Sequence, residues 1–236
     1  MAIPKILHYC WFGGEMRKTD KKCVSEWKKF FADFKIIHWN EENFNVHCNE
    51  YVEEAYKEKK YQYVSDYARL LALYEYGGIY LDTDCKVKKS FLPLMNQQAF
   101  TGFGCDNKEI AACTLAFEPK HPFIKECLES YKGMHFISDK GECDLTSVNV
   151  RMTKLLEKYG YQQNGEEQEV YGIHIYPMTY FCPLSLDYAN VKDCISKDTY
   201  CIALFDSKEF KREHNIFIKI GRALGLDKLK RRFFKK

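Results

Sequence analysis

The sequence predicts an α/β domain with a mostly parallel central sheet flanked by helices, and three observations lead there. The apolar run Ile3 to Trp11, closed by Gly13-Gly14, is too short for a helix and reads as a buried first strand. A helical repeat follows, and Lys35 to Trp39 returns as a second strand; strand, crossover helix and strand is how parallel sheets are built. Farther on, Ile79-Tyr80-Leu81 is a minimal apolar strand that starts after Gly77-Gly78 and runs into Asp82.

The remaining elements follow from periodicity. Cys23, Trp27, Phe30 and Phe34 recur at intervals of four, three and four, which predicts a helix from about Thr19. A charged helix is expected over Tyr51 to Lys60. A more apolar one is expected over Tyr63 to Tyr76, ended at Gly77-Gly78, where a chain can turn through a left-handed residue. Ala99 to Phe103, Ala111 to Phe117, Ile173 to Tyr176 and Thr199 to Phe205 read as strands, and Pro122 to Lys132 and Thr146 to Tyr159 as helices. No internal repeat or low-complexity tract interrupts them.

A hydrophobic share of 46% over 236 residues supports one substantial folded unit and argues against disorder. The net charge of +3 hides an asymmetry: residues 211–236 carry ten Lys or Arg against Glu213 and Asp227, whereas residues 1–210 are net −5. The expected organisation is a catalytic domain over 1–210 and a basic tail over 211–236. Phe217, Ile220 and Leu224, and then Leu226, Leu229 and Phe233, form short apolar stripes in that tail. Its expected partner is an anionic membrane surface, which would place the protein at the cytoplasmic face of the plasma membrane. Nucleic acid is not expected as a partner, because the body is acidic and the basic patch is confined to one end. The eleven cysteines are odd in number and contain no Cys-x-x-Cys, and the N-terminus is a poor export signal. They therefore read as mostly reduced, buried thiols in the cytoplasm. No stretch reaches the roughly 18 apolar residues of a spanning helix. Phe and Tyr number seventeen each, enough to supply stacking faces for bases or sugars besides packing a core.

The chemistry concentrates between Tyr63 and Asp84. Asp82-Thr83-Asp84 closes a buried strand at the carboxyl edge, where open α/β sheets bind ligands. Acids projecting from an apolar run must be hydrated, paired or bound to a cation. Hard carboxylate oxygens suit Mg²⁺ or Mn²⁺, which share their shell with water and substrate phosphates, so a nucleoside diphosphate is the natural third party. Asp66 and Arg69 lie three apart on one helix face just upstream. They read either as a surface ion pair, in which case Arg69→Ala costs at most about 1 kcal/mol, or as ligands to sugar hydroxyls and phosphate oxygens.

Ile3-Pro4-Lys5-Ile6-Leu7-His8-Tyr9-Cys10-Trp11-Phe12-Gly13-Gly14, with Ser65-Asp66-x-x-Arg69, Gly77-Gly78 and Asp82-Thr83-Asp84, resembles glycosyltransferase family 32. The resemblance is good over roughly residues 3 to 132. It implies a GT-A fold, a nucleotide-sugar donor (a UDP-sugar favoured, a GDP-sugar possible), Mn²⁺ or Mg²⁺, retention of anomeric configuration, and a saccharide or glycolipid acceptor of the kind used in capsular polysaccharide synthesis. Carried over position by position, it implies that Trp11 stacks on the base and Ser65 meets the nucleoside. Asp66 and Arg69 would hold the sugar, Asp82 would touch ribose and sugar hydroxyls, and Asp84 would bind the metal. Trp11 also reads as a core residue at a strand end, and His8 as a packed strand residue.

Two departures stand out. Many bacterial relatives carry a His-His pair followed by Phe where this chain has Ala203-Leu204; Asp206 or His214 substituting, water filling the metal shell, or a weakened enzyme are the readings open here. Thr146-Ser147-Val148 replaces a Thr-Gly-Pro-like turn, which leaves the acceptor contacts open. A sugar-nucleotide-binding protein without turnover therefore stays among the readings. A phosphatase of the haloacid-dehalogenase type also ends a strand in Asp-x-Asp, but there a Gly-Thr or similar follows, not Cys85-Lys86. A glycoside hydrolase would need two opposed carboxylates.

Overall fold

The computed structural model describes residues 3–183 and 195–204. Its unit Met1–Ala203 is built on a seven-stranded sheet in the order β2-β1-β3-β6-β5-β8-β7. The strands are β1 (Ile6–Cys10), β2 (Lys35–Trp39), β3 (Gly78–Leu81), β5 (Ala99–Gly102), β6 (Thr114–Phe117), β7 (Gln168–Val170) and β8 (Ile173–Tyr176). β1 lies parallel to both β2 and β3, and β5 parallel to β8, while β6 and β7 run against their neighbours. Five of the seven strands thus share one direction, which is the sense in which the expected mostly parallel sheet is present. A second, two-stranded sheet pairs β4 (Cys85–Val87) with β9 (Cys201–Ala203). The expected tail over 211–236, with Asp206 and His214, lies outside the described residues.

The helices are α1 (Lys18–Trp27), α2 (Glu50–Lys57), α3 (Tyr61–Tyr76), α4 (Pro122–Glu129) and α5 (Val148–Glu157). α1 stops at Trp27, short of the repeat that pointed to Phe34. The chain turns there, with the Phe30 and Phe31 amides donating to the Trp27 carbonyl, so Phe31 and not Phe30 joins Trp27 and Phe34 in the core. Residues 111–113 were expected as strand but form a turn whose carbonyls point into the candidate site: Ala112 accepts from Arg69 and Cys113 from the Asp82 amide. β4 escapes sequence reading because three residues carry no usable period and its partner lies far along the chain. Seven of the ten cysteines among the described residues are buried, and none of the ten is in a disulfide. Among the described residues no helix is long and apolar enough to cross a membrane.

The passage from α3 into β3 aims the site, and it is fixed by backbone that only glycine adopts easily. Gly77 has φ +61° and Gly78 φ +102°; a Cβ on Gly77 would lie 2.6 Å from the Pro119 nitrogen and one on Gly78 2.5 Å from the Ile6 carbonyl oxygen. His8 on β1 locks the same turn. It is fully buried, donates from Nε2 to the Gly77 carbonyl at 2.8 Å, and accepts at Nδ1 from the Trp39 indole at 3.1 Å. Both nitrogens are committed in the neutral ring, so His8 is a packed strand residue. Burial lowers its pKa from 6.5 to about 4 against the pull of the Gly77 carbonyl.

Above pH 6.5 the ring is neutral in both folded and unfolded chains and contributes no pH dependence. Between about pH 6.5 and pH 4 only the unfolded chain takes up the proton on this ring, so His8 by itself lowers stability by about 3 kcal/mol across that window. Asp82 and Asp66, whose carboxyls are raised by burial, act in the opposite direction over the same range, so the effect of His8 is read as a difference. In urea denaturation at pH 7 and pH 4, the native protein should lose about 3 kcal/mol more, or gain about 3 kcal/mol less, than His8→Gln, which keeps a donor and an acceptor but cannot titrate.

Candidate active site

Arg69 stands at the centre of the site. α3 buries it by placing it on the side facing β3, where it is only 6% exposed, as is Asp66 one turn earlier. Its Nη2 pairs with Asp66 Oδ1 at 2.9 Å, and its Nη1 donates to the Ala112 carbonyl at 2.9 Å and lies 3.3 Å from Asp82 Oδ1. Its Nε donates to the Ser65 carbonyl at 3.3 Å, and the guanidinium sits 4.5 Å over the Tyr80 ring. The Asp66–Arg69 pair is therefore buried, which corrects the surface-pair reading. Asp66 Oδ2 also accepts from the Val148 amide at 3.1 Å, so the carboxylate caps the first turn of α5. Burial raises the Asp66 pKa while Arg69 and the Val148 amide pull it back.

β3 delivers Asp82-Thr83-Asp84 at its carboxyl end, the turn into β4 being closed by the Cys85 amide donating to the Asp82 carbonyl. The Asp82 side chain keeps 34% of its surface open, at the mouth of the site and not within the core. Its Oδ1 accepts from the Tyr80 hydroxyl at 2.8 Å. Burial pushes its pKa up to about 7; Arg69 opposes this, and the nearby Cys113 and Asp84 add to it. Asp84 is half-buried, and Thr83 is buried with its hydroxyl on Asp20. Ser65 is half-buried on α3. Trp11, just past β1, is also half-buried, so it is not a core residue; its indole donates to the Gly14 carbonyl at 2.9 Å.

Residues 17–101 match the family model described as the glycosyltransferase sugar-binding region containing the DXD motif, a span that holds Ser65, Asp66, Arg69, Asp82 and Asp84. That stretch of the chain is similar to a DXD glycosyltransferase sugar-binding region. Inositol phosphoceramide mannosyltransferase 1 of Schizosaccharomyces pombe is 24% identical over 54% of this chain and 42% of its own length. Mouse lactosylceramide 4-alpha-galactosyltransferase is 37% identical over 34% of this chain and 22% of its own. The chain thus spans less than half the length of these relatives. Among solved structures, PaToxG glycosyltransferase overlays with a TM-score of 0.47 at 20% identity, covering 66% of this chain and 70% of that one.

The donor set of the sugar-binding region fits a divalent cation. It offers two hard carboxylates, and among the described residues no three His, Cys, Asp or Glu side chains cluster into a closed metal site. An open shell of this kind leaves positions for water and phosphate oxygens, as Mg²⁺ and Mn²⁺ prefer. Ala203 pairs directly with Cys85, one residue past the acidic turn, and brings no donor side chain there.

Sequence reasoning missed Tyr80 and the pair Arg17–Asp20 as parts of the site, and gave Thr83 no role of its own. Tyr80 reads in the sequence as part of an apolar strand. The one available signal was Arg17 three residues before Asp20. The Asp66–Arg69 geometry also changes an expected magnitude. Removing the guanidinium by Arg69→Ala would strand two carboxylates and a buried carbonyl, so the cost in urea denaturation should be about 3–5 kcal/mol, not the 1 kcal/mol of an exposed pair. Arg69→Lys, which keeps the charge but not the fork of donors, should fall between.

Proposed function

We propose that this protein transfers a hexose from a nucleoside diphosphate sugar, a UDP-sugar favoured over a GDP-sugar, to a saccharide or glycolipid acceptor with retention of configuration. The observation that carries the reading is the acidic turn Asp82-Thr83-Asp84 at the end of β3, with Asp82 held by a buried Arg69. A GT-A-type donor site built this way would take the base against Trp11 and the nucleoside at Ser65. Arg69 and Asp66 would lie at the sugar. Asp66 orients Arg69 through the ion pair, and its remaining lone pairs face any sugar hydroxyl that reaches it.

When bound, Mn²⁺ or Mg²⁺ would offset the charge that builds on the departing diphosphate, with Asp84 as its main protein ligand and Asp82 as an auxiliary one. Asp206 stays a candidate third ligand. Asp82 and Asp66 are both tied to Arg69, so neither is placed as a free covalent nucleophile. Same-face attack, in which the leaving phosphate oxygen takes the acceptor's proton, is the mechanism we favour. Ala203-Leu204, in the place of a His-His pair, supports a second reading, a donor-binding protein with weak or no turnover.

Release of nucleoside diphosphate from a panel of UDP- and GDP-sugars, with and without Mn²⁺, tests the first reading against the second. Metal-dependent release by the native protein, lost at least about 100-fold in Asp84→Asn with the melting temperature unchanged, is the expected result. Binding without release would favour the second reading, and full activity in Asp84→Asn would remove Asp84 from the metal site.

The acceptor side of the proposal rests on relatives named for ceramide-linked acceptors and on the basic tail. We place the protein on the cytoplasmic face of the plasma membrane, held by residues beyond about Lys211 near a lipid-linked saccharide, in capsular or other surface polysaccharide synthesis. The full chain should sediment with anionic liposomes at low salt and be released at high salt, as interactions of about 1 kcal/mol per basic residue require. A chain ending at Phe210 should stay in solution; equal sedimentation of the two would remove the anchor.

A further inference from the structure

The base side and the metal side of the proposed donor site sit on different elements, yet a line of side chains joins them through the start of α1. Arg17 precedes that helix with its guanidinium 5.7 Å from the centre of the Trp11 ring. Its Nε and Nη2 donate to the two oxygens of Asp20 at 2.7 and 2.8 Å. Asp20 is completely buried, and its Oδ1 also accepts the Thr83 hydroxyl at 2.6 Å, with Thr19 donating to Oδ2 at 3.2 Å. The far end of α1 is tied down as well, because the Trp27 indole donates to the Cys85 carbonyl at 2.8 Å, one residue beyond the acidic turn.

A fully buried carboxylate is expensive unless its oxygens are matched, and Asp20 is matched on both. Burial works against its charge, and the bonds from Arg17 and Thr83 outweigh that, so its pKa lies below the usual value. Capping of α1 would need only contacts within the helix. The short bond to Thr83 reaches across the fold to the middle residue of the cation-binding turn, whose two acids must keep a fixed separation to share an ion. Neighbouring groups that hold a ligand-bearing turn in place are what preorganise such sites.

We propose that Asp20 is a positioning residue that couples the acidic turn to Trp11, through Thr83 on one side and Arg17 on the other, so that metal and base are bound as one unit. The inference rests on the donor reading above. Asp20 touches neither substrate nor metal in this role; it sets the geometry of the residues that do.

Calorimetric titration of the full-length protein with UDP and with GDP, each with and without MnCl₂, tests it. Thr83→Val removes the hydroxyl and keeps the shape, and should weaken Mn²⁺-dependent nucleotide binding about tenfold or more, equivalent to about 1.4 kcal/mol. Thr83→Ser should restore it. Arg17→Gln, at a side chain 40% exposed, should also weaken binding, and the double variant Arg17→Gln/Thr83→Val should bind no more weakly than the poorer single one. Should Thr83→Val not fold, Arg17→Gln and Thr83→Ser carry the test alone. Native-like affinity in Arg17→Gln or Thr83→Val, or losses that multiply in the double variant, would overturn the coupling and leave the donor reading standing. If the native protein binds neither nucleotide with Mn²⁺, the donor reading falls and the coupling falls with it.

Discussion

The Arg69 guanidinium is the group on which the rest of the site depends. Two carboxylates, Asp66 and Asp82, converge on it from α3 and β3, and neither could be placed there unpaired without a cost of several kcal/mol. Its third partner, the Ala112 carbonyl, comes from the turn before β6, and Asp66 passes the connection on to the first amide of α5. One buried cation therefore ties together α3, the end of β3, the turn before β6 and, through Asp66, the start of α5. The planar fork of donors makes this feasible, since a single ammonium could not address three acceptors in fixed directions.

The fold supplies that meeting point through features with little freedom. Gly77 and Gly78 let α3 turn directly into β3, and the neutral His8 ring ties that turn to β1. With β3 inside the sheet between β1 and β6, the acidic turn has a fixed position at the strand end, while its side chains remain open enough to meet a ligand. Asp82, buried below and open above, is held partly by Arg69 and partly by the Tyr80 hydroxyl. Burial raises its pKa to about 7 against the pull of Arg69.

The β4–β9 pairing has a different consequence. It brings Ala203 next to Cys85, one residue past the acidic turn, although more than half the described chain lies between the two. The residue types there offer no metal donor, so under the proposed reading a cation at the turn would have the two carboxylates and an open remainder. That is a workable set for a hard ion carrying water and phosphate oxygens, and it shifts weight onto the rigidity of the acidic turn itself.

Much of this was legible in the sequence, because it depends on local pattern. The strands over 35–39, 79–81 and 173–176, the helix ending at the paired glycines, and the spacing of Asp66, Arg69, Asp82 and Asp84 are all set by residue order and by what glycine and buried acids require of a chain. What the sequence could not decide was contact between distant segments. Whether Asp66 and Arg69 face water or the core, why residues 111–113 turn their carbonyls inward, and that Asp20 meets Thr83 all depend on which helix face packs against which strand. A carboxylate's neighbours along the chain tell little about its energy once it is buried. Its partners across the fold set that energy, and only the tertiary structure brings them together.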